Sequence, residues 1–168
     1  RLSQNKIIGW FQGRMEFGPR ALGNRSILAN PANPGMKDLL NQRVKKRESF
    51  RPYAPAVLEE KITEFFNAKQ FSPFMLLSAE VNEDKKTIIP AVTHIDGSAR
   101  VQSVSKNINP RLWNLIKEFE TITGLPVILN TSFNLNREPI VCAPEEAVSC
   151  FKRSQMDCLV LGNYVAEK

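Results

Sequence analysis

The chain has 168 residues, of which 42% are hydrophobic and 24% are charged, and these proportions are typical of a globular domain. They exclude a disordered or low-complexity protein, and no apolar run is long enough to predict a transmembrane helix. The net charge is +6, from 23 Lys and Arg against 17 Asp and Glu. We expect one domain over residues 1–168 and, without a signal-peptide pattern, a cytoplasmic location. Because the chain begins with Arg1 rather than Met, we expect a fragment of a longer protein.

Positive charge is concentrated in residues 13–51, here called the basic segment. It contains six Arg and three Lys against three acids, and 9 − 3 gives the whole net charge of +6. Its first part, GRMEFGPRALGNRS, sets Arg among glycines and apolar residues, unlike a solvated helix face. Guanidinium groups match phosphate and carboxylate oxygens in pairs, and the turns at Gly18-Pro19 and Gly23-Asn24 can present N–H groups to an anion. The segment predicts an anion site, with a surface patch that binds nothing as the alternative.

Hydrophobic periodicity and turn residues predict strands and helices interspersed along the chain. Strands are expected at residues 6–13, 53–58, 74–81, 99–104, 126–129, 158–161 and 164–166. Helices are expected at residues 36–44, 59–67, 109–124 and 143–153. Pro52 and Pro55 favour an edge or irregular position for the second strand, and FMLLSAEV at 74–81 predicts a buried one. This arrangement indicates a single α/β or α+β domain of two layers.

The sequence offers little support for a metal centre or for histidine-based nucleophilic catalysis. Cys142, Cys150 and Cys158 have no C-x-x-C spacing and lie among apolar residues, which is typical of buried thiols in a reducing compartment. His94 is the only histidine, and no nucleophile elbow accompanies it. We expect no catalytic metal in this domain.

Two further segments carry polar residues where a ligand site could form. The strand at 126–129 runs into Asn130-Thr131-Ser132-Phe133-Asn134, and strand ends in mixed sheets present side chains into a crevice. The alternative for this cluster is a loop whose polar side chains satisfy its own backbone. Arg100 follows the turn dipeptide Asp96-Gly97 on a predicted strand. Only the fold can bring these segments and the basic segment together.

Five stretches of the chain resemble the C-terminal domain of the NodU/CmcH carbamoyltransferase family. They are GRMEFGPRALGNRSIL, MKDLLNQRVKKRESFRPYAPAVL, HIDGSARVQ, GLPVILNTSFN and EPIVCAPEEAV. The resemblance covers essentially all 168 residues with long, specific motifs. It implies a YrdC-like fold, which is an open, twisted, mixed α/β sheet with helices packed on it and a positively charged concave face.

The resemblance also implies an activity. In the family this domain takes carbamoyl phosphate and ATP, which carries Mg²⁺, and forms carbamoyl-adenylate with release of phosphate and pyrophosphate. A separate N-terminal metal-binding domain of actin-like ATPase fold then passes the carbamoyl group to an acceptor hydroxyl. The sequence contains no counterpart of that domain, so we expect it to hold the activation half-reaction of a transferase.

By motif, the resemblance implies a set of six ligand-binding residues. They are Arg20, Lys45, Arg51, Arg100, Asn130 and Ser132, with Lys45 and Arg51 in the catalytic role. The Lys-x-Arg and Ser-x-Asn pairs of YrdC-like proteins also match Lys45-Lys46-Arg47 and Ser132-Phe133-Asn134, so Arg47 and Asn134 compete with Arg51 and Asn130. Truncating Lys45 or Arg51 is expected to weaken ligand binding and hardly change folding.

The charge of the proposed substrates agrees with a cationic site. Carbamoyl phosphate and ATP bring several negative charges together, and fixed cations can offset that repulsion without a general base. The alternative is an RNA- or tRNA-binding module, an association that YrdC-like domains have. Against it, the aromatic residues do not interleave with Lys in a stacking pattern. A purely regulatory nucleotide-binding domain is a third reading, and we expect neither a nucleic acid nor a membrane partner.

Overall fold

A computed structural model describes all of residues 1–168. The ten strands are β1 (Ile8–Phe11), β2 (Arg25–Ala29), β3 (Ala54–Leu58), β4 (Phe66–Asn67), β5 (Ser78–Val81), β6 (Ser98–Arg100), β7 (Gln102–Val104), β8 (Val127–Ser132), β9 (Cys158–Leu161) and β10 (Tyr164–Glu167). The helices are α1 (Met36–Leu40), α2 (Ile62–Phe65), α3 (Pro110–Thr123) and α4 (Pro144–Arg153). A π-helical turn, Asn41–Lys45, continues α1, and 3-10 turns occur at Leu2–Gln4, Glu59–Lys61, Glu83–Lys85 and Pro90–Val92.

Seven strands form one mixed sheet in the order β10-β9-β1-β2-β8-β3-β7. The pairs β1/β9 and β3/β7 are parallel, and the other four pairs are antiparallel. The remaining strands form a small antiparallel sheet in the order β4-β5-β6. The predicted mixed α/β architecture is confirmed. The interior strand β8 lies between β2 and β3 and carries the predicted polar cluster at its carboxyl end.

The two long helices form where the capping residues predict them. Asn109 caps α3 by accepting from the backbone N–H of Leu112, and Gly124 ends the helix with a φ of 75° that suits glycine. The carboxylate of Glu146 turns back to accept from the N–H groups of Cys142 and Ala143 at the start of α4. The buried faces of both helices join one continuous apolar core with the large sheet. None of the helices is long and apolar enough to cross a membrane.

The position predicted for the strand at 53–58 is wrong. β3 is an interior strand between β8 and β7, and all five of its residues are buried. Pro55 lies opposite Leu129 in this ladder. One missing N–H is outweighed here by burial of Ala56, Val57 and Leu58 on both faces of the sheet.

Three other predicted elements differ from the structure. The buried strand expected at 74–81 is wrong: only residues 78–81 form a strand, and Phe74 and Leu76 are 63% and 67% exposed. The strand expected at 99–104 is divided at Val101, whose N–H donates to the carbonyl of Leu77. β6 therefore joins the small sheet and β7 the large one. The helix expected at 59–67 contracts to a 3-10 turn followed by the single turn of α2.

Candidate anion-binding site

Lys45 joins the end of the α1 segment to the end of β8. Its Nζ donates to the carbonyl oxygens of Ser132 at 2.6 Å and Asn134 at 3.0 Å. It also lies 3.2 Å from Ser132 Oγ and 2.8 Å from Asn134 Oδ1, and this Oγ donates to this Oδ1 at 2.6 Å. Lys45 is therefore in direct contact with Ser132 and with Asn134, the residue that competes with Asn130 for a place in the predicted set.

The Lys45 ammonium is buried without a carboxylate partner. The residue is 4% exposed, and none of the ion pairs in the structure includes it. Burial lowers the pKa of Lys45 to about 7, and the positive charge of Arg47 contributes to the shift. A buried charge that has only neutral partners is costly, so a bound anion close by would stabilise the protonated form.

The contacts of Lys45 argue against the expectation that its truncation hardly changes folding. Its three protons face four part-buried oxygen atoms of Ser132 and Asn134, so removing the side chain takes a donor from each of them. The Asn134 carbonyl has no other donor, whereas the Ser132 carbonyl also accepts from the N–H of Asn134. The sequence motif places a cation here but does not show that the cation is enclosed by the β8 end.

Two other arginines, Arg20 and Arg47, lie near Arg100. The pKa of Arg100 is lowered by burial first and then by the positive charges of Arg20 and Arg47. None of the three forms an ion pair. The Nε atoms of Arg20 and Arg100 are buried without a hydrogen-bond partner, and the other contact of Arg100 is a weak one at 4.0 Å to Met75 Sδ. Such uncompensated positive charge suits a multiply charged anion.

Arg47 is held in place by two residues that the sequence motifs do not single out. Its Nε donates to Asn41 Oδ1 at 3.1 Å, and its guanidinium carbon lies 4.5 Å from the centre of the Tyr53 ring. Tyr53 Oη donates to the same Asn41 oxygen at 2.7 Å. Asn41 begins the π-helical turn that ends at Lys45, and such turns frequently occur at functional sites.

Asn130 connects β8 to the basic segment. Its Nδ2 donates to the carbonyl oxygen of Ala21 at 3.1 Å and to Gln102 Oε1 at 2.7 Å, while its Oδ1 is buried without a partner. Gln102 Nε2 in turn donates to the carbonyl of Leu22 at 2.8 Å. The fold thus attaches the backbone just after Arg20 to the strand that carries Asn130 and Ser132.

The acid nearest to Arg20 in the sequence does not neutralise it. One carboxylate oxygen of Glu16 accepts from the backbone N–H groups of both Leu22 and Asn24, at 2.7 Å each. These bonds shape the turn that follows Arg20. Glu16 is consequently bonded to the backbone and forms no ion pair with Arg20.

Arg51 lies differently from the other predicted site residues. Its side chain is 53% exposed and pairs with Glu48 at 3.8 Å. No hydrogen bond links the Arg51 side chain to β8 or to the other arginines. A ligand-binding role for Arg51 stays a prediction.

Arg25 shows that part of the basic segment is structural. Its guanidinium stacks on Phe11 at 3.5 Å and donates to four backbone carbonyl oxygens, those of Gln12, Gly13, Asn24 and Cys142. The residue is buried in β2. Its place inside the apolar run RSILA was the sequence signal for this role.

Cys150 lies near Lys45 and His94 lies near Arg100, because each pair is close enough for its charges to interact. Cys150 and Cys158 are buried as expected, but Cys142 is exposed, which corrects the expectation that all three thiols are buried. His94 Nδ1 lies 3.3 Å from Ser98 Oγ. No three His, Cys, Asp or Glu side chains are grouped closely enough to hold a metal ion.

The mixed sheet and its helices define an α/β domain that carries a candidate anion-binding site. The whole chain, residues 1–168, matches the family described as "Carbamoyltransferase C-terminus", and the chain belongs to that family. It is 51% identical over 170 residues to the nodulation protein NolNO of Sinorhizobium fredii, covering 99% of this chain and 25% of that protein. It is 44% identical over 149 residues to nodulation protein U of Rhizobium tropici, covering 89% of this chain and 25% of that protein.

Two further comparisons bear on length and fold. The uncharacterized protein sll1178 of Synechocystis is 46% identical over 187 residues, covering 99% of this chain and 30% of that protein. The chain thus spans between a quarter and a third of the length of these relatives. The crystal structure of full-length HypF in the phosphate- and nucleotide-bound form superposes with a TM-score of 0.68 at 20% identity, covering 96% of this chain and 24% of HypF. This similarity confirms the expected YrdC-like fold.

Proposed function

We propose that this chain is the part of a carbamoyltransferase that binds carbamoyl phosphate and ATP and forms carbamoyl-adenylate. The observation that carries the proposal is the group of Arg20, Arg47, Arg100 and Lys45, which has no acidic partner. Family membership supports a carbamoyl substrate. The HypF crystal structure is of a phosphate- and nucleotide-bound form, which supports both kinds of ligand for this fold.

In this proposal the cations act by position and charge. The balanced half-reaction consumes carbamoyl phosphate, ATP and one water, and yields carbamoyl-adenylate, phosphate and pyrophosphate. A C–O–P linkage of carbamoyl phosphate is hydrolysed, and a carbamate oxygen displaces pyrophosphate from the α-phosphorus of ATP. Arg20 and Arg100 would hold phosphate oxygens and offset the repulsion between the two substrates. Mg²⁺ would arrive with ATP as part of the substrate.

Ser132 and Asn134 provide the polar part of the proposed site. Both are held by Lys45, and Ser132 Oγ lies at the end of β8 next to the cations. We assign Ser132 and Asn130 to substrate contact. Lys45 would fix the β8 end and, when a substrate anion approaches, hold its proton more firmly.

Transfer to an acceptor hydroxyl belongs to a further part of the full-length protein in this proposal. The relatives are three to four times longer than the matched region, which leaves room for an N-terminal metal-binding domain of actin-like ATPase fold. The present residues would supply the activated carbamoyl group to it.

The proposal is tested by titrating the chain with carbamoyl phosphate, ATP with Mg²⁺ and a short RNA. We expect both small ligands to bind, and we expect carbamoyl-adenylate, phosphate and pyrophosphate to form when both are present. Tight RNA binding without either small ligand would instead support the nucleic-acid reading. ATP binding without product in the presence of carbamoyl phosphate would support a regulatory nucleotide site.

A further inference from the structure

Gln102 links three segments of the anion-binding site through one side chain. Its Nε2 donates to the carbonyl oxygen of Leu22 at 2.8 Å, and its Oε1 accepts from Asn130 Nδ2 at 2.7 Å. The residue is 3% exposed, so water competes little for either bond. It also follows Arg100 by two positions, just after the chain passes from the small sheet to the large one. One amide thus connects the loop that carries Arg20, the strand after Arg100, and β8.

The two bonds of Gln102 require one hydrogen-bond donor and one acceptor in the same side chain. The Leu22 carbonyl needs a donor and Asn130 Nδ2 needs an acceptor, and glutamine supplies both from one side chain. Asn130 uses its second N–H on the carbonyl of Ala21, so two successive carbonyls after Arg20 are held. Methionine would fill the same volume but make neither bond.

The Arg20 side chain forms no hydrogen bond of its own, so its position depends on the backbone after it, which Glu16, Asn130 and Gln102 hold. Its Nε is buried without a partner, and no acidic side chain pairs with the guanidinium. Arg100 lies close enough for the charge of Arg20 to lower its pKa, so the two cations repel each other. Holding them together without a ligand requires the backbone on either side to be fixed.

We propose that Gln102 is a positioning residue that fixes the loop after Arg20 against Asn130 and so keeps the Arg20 and Arg100 guanidinium groups together for anion binding. The inference rests on the proposed function only in that this site binds a phosphate-containing anion. Gln102 acts through Arg20 and Asn130.

The test compares the affinity of Gln102→Met, Arg20→Ala and the double variant for inorganic phosphate and carbamoyl phosphate by calorimetry. We expect each single variant to bind about tenfold more weakly than the wild type, and the double variant to bind no more weakly than Arg20→Ala. Ser103→Ala is the matched control, because Ser103 is buried beside Gln102 and its Oγ accepts from Ser72 N away from the site. It should lower the melting temperature and leave affinity unchanged.

Gln102→Glu provides a second test with a pH readout. Its carboxylate can still accept from Asn130 but faces the Leu22 carbonyl without a proton to donate. Its protonated form regains that donor. The ratio of variant to wild-type affinity should therefore rise on acidification, whereas a role in packing alone predicts a constant ratio.

A ligand-independent measurement separates this inference from the proposed function. NMR of ¹⁵Nε-labelled arginine, assigned with Arg20→Lys, should show an ordered Arg20 side chain in the wild type and a mobile one in Gln102→Met. Wild-type affinity in Gln102→Met, or losses that add in the double variant, would overturn the inference. If the wild type binds no phosphate compound, the proposed function fails. In that case the NMR result still decides the inference. An Arg20 side chain that stays ordered in Gln102→Met overturns it, and an Arg20 side chain that becomes mobile supports it.

Discussion

Lys45 Nζ lies 2.6 Å from the carbonyl oxygen of Ser132, a residue 87 positions further along the chain. The contact brings the end of the π-helical turn against the end of β8 and buries an ammonium among neutral oxygens. The same contact that assembles the site therefore carries a folding cost, which an anionic ligand can offset.

Lys45→Met should lower the free energy of unfolding. The change keeps the side-chain length but removes the only donor of the Asn134 carbonyl and one of two donors of the Ser132 carbonyl. We expect this to cost about 2 kcal/mol after the relief of burying the charge. Chemical denaturation measures the change. Lys152→Ala, an exposed lysine on α4, is the control and should be neutral. A Lys45→Met protein as stable as the wild type would show that the β8 end does not depend on this contact.

Stability should rise with pH in the range where Lys45 loses its proton in the folded state. The folded-state pKa is about 7 and the ordinary value is 10.5, so between them the unfolded chain binds more protons. From pH 7 to 8.5 the free energy of unfolding should increase by about 1 kcal/mol per pH unit.

The comparison with Lys45→Met isolates this contribution, because the variant should lack the slope. The lowered pKa of His94 adds a rise only below about pH 6.5, and the raised pKa values of Cys150 and Cys158 reduce stability only near pH 9 and above. A wild-type profile as flat as that of the variant would contradict the prediction.

Arg100→Gln should weaken ligand binding and leave folding intact. The guanidinium has no acidic partner to lose, and its removal relieves repulsion with Arg20 and Arg47. Loss of a charge-assisted bond should cost about 1.5–3 kcal/mol, or roughly 10- to 150-fold in the dissociation constant of carbamoyl phosphate or ATP. Arg153→Gln is a control with the opposite expectation. It breaks the surface ion pair between Arg153 and Glu138 and should leave ligand affinity unchanged. Arg100→Gln with wild-type affinity and reduced stability would make Arg100 structural.

Much of the local structure could be predicted from the sequence. Asn109, Gly124 and Pro144 mark the ends of α3 and α4, because capping depends on neighbouring residues in the chain. The interior position of β3 could not be predicted, since it depends on partners such as β8 that are far away in the sequence. The exposure of Phe74 likewise follows from tertiary contacts that periodicity does not contain.

The sequence could predict which residues belong to the candidate site, but not the hydrogen bonds that hold them in place. The motifs indicated Lys45, Ser132 and Asn134, and the structure places them in contact. They did not indicate that Asn41 holds Arg47 or that Gln102 holds Asn130, because a neutral amide in a strand or helix has no distinctive local pattern. Such supporting contacts exist only once the sheet is assembled.

Two arginines compete for the role beside Lys45: Arg51, which the family resemblance implies, and Arg47, which completes the Lys-x-Arg match. Arg51 is exposed and its ion pair with Glu48 is long, so its removal should change stability by less than about 1 kcal/mol. If Arg51 closes on the ligand, as the motif predicts, Arg51→Ala should weaken carbamoyl phosphate or ATP binding by roughly 10- to 150-fold.

Arg47→Ala should behave differently, because Arg47 is bonded to Asn41 and stacked on Tyr53. We expect it to lower both affinity and melting temperature. Calorimetric titration and thermal unfolding of both variants give the comparison. An Arg51→Ala protein that binds both ligands like the wild type would remove Arg51 from the site and leave the motif's arginine to Arg47, whereas weakened binding at an unchanged melting temperature would mean that Arg51 leaves Glu48 to contact the substrate.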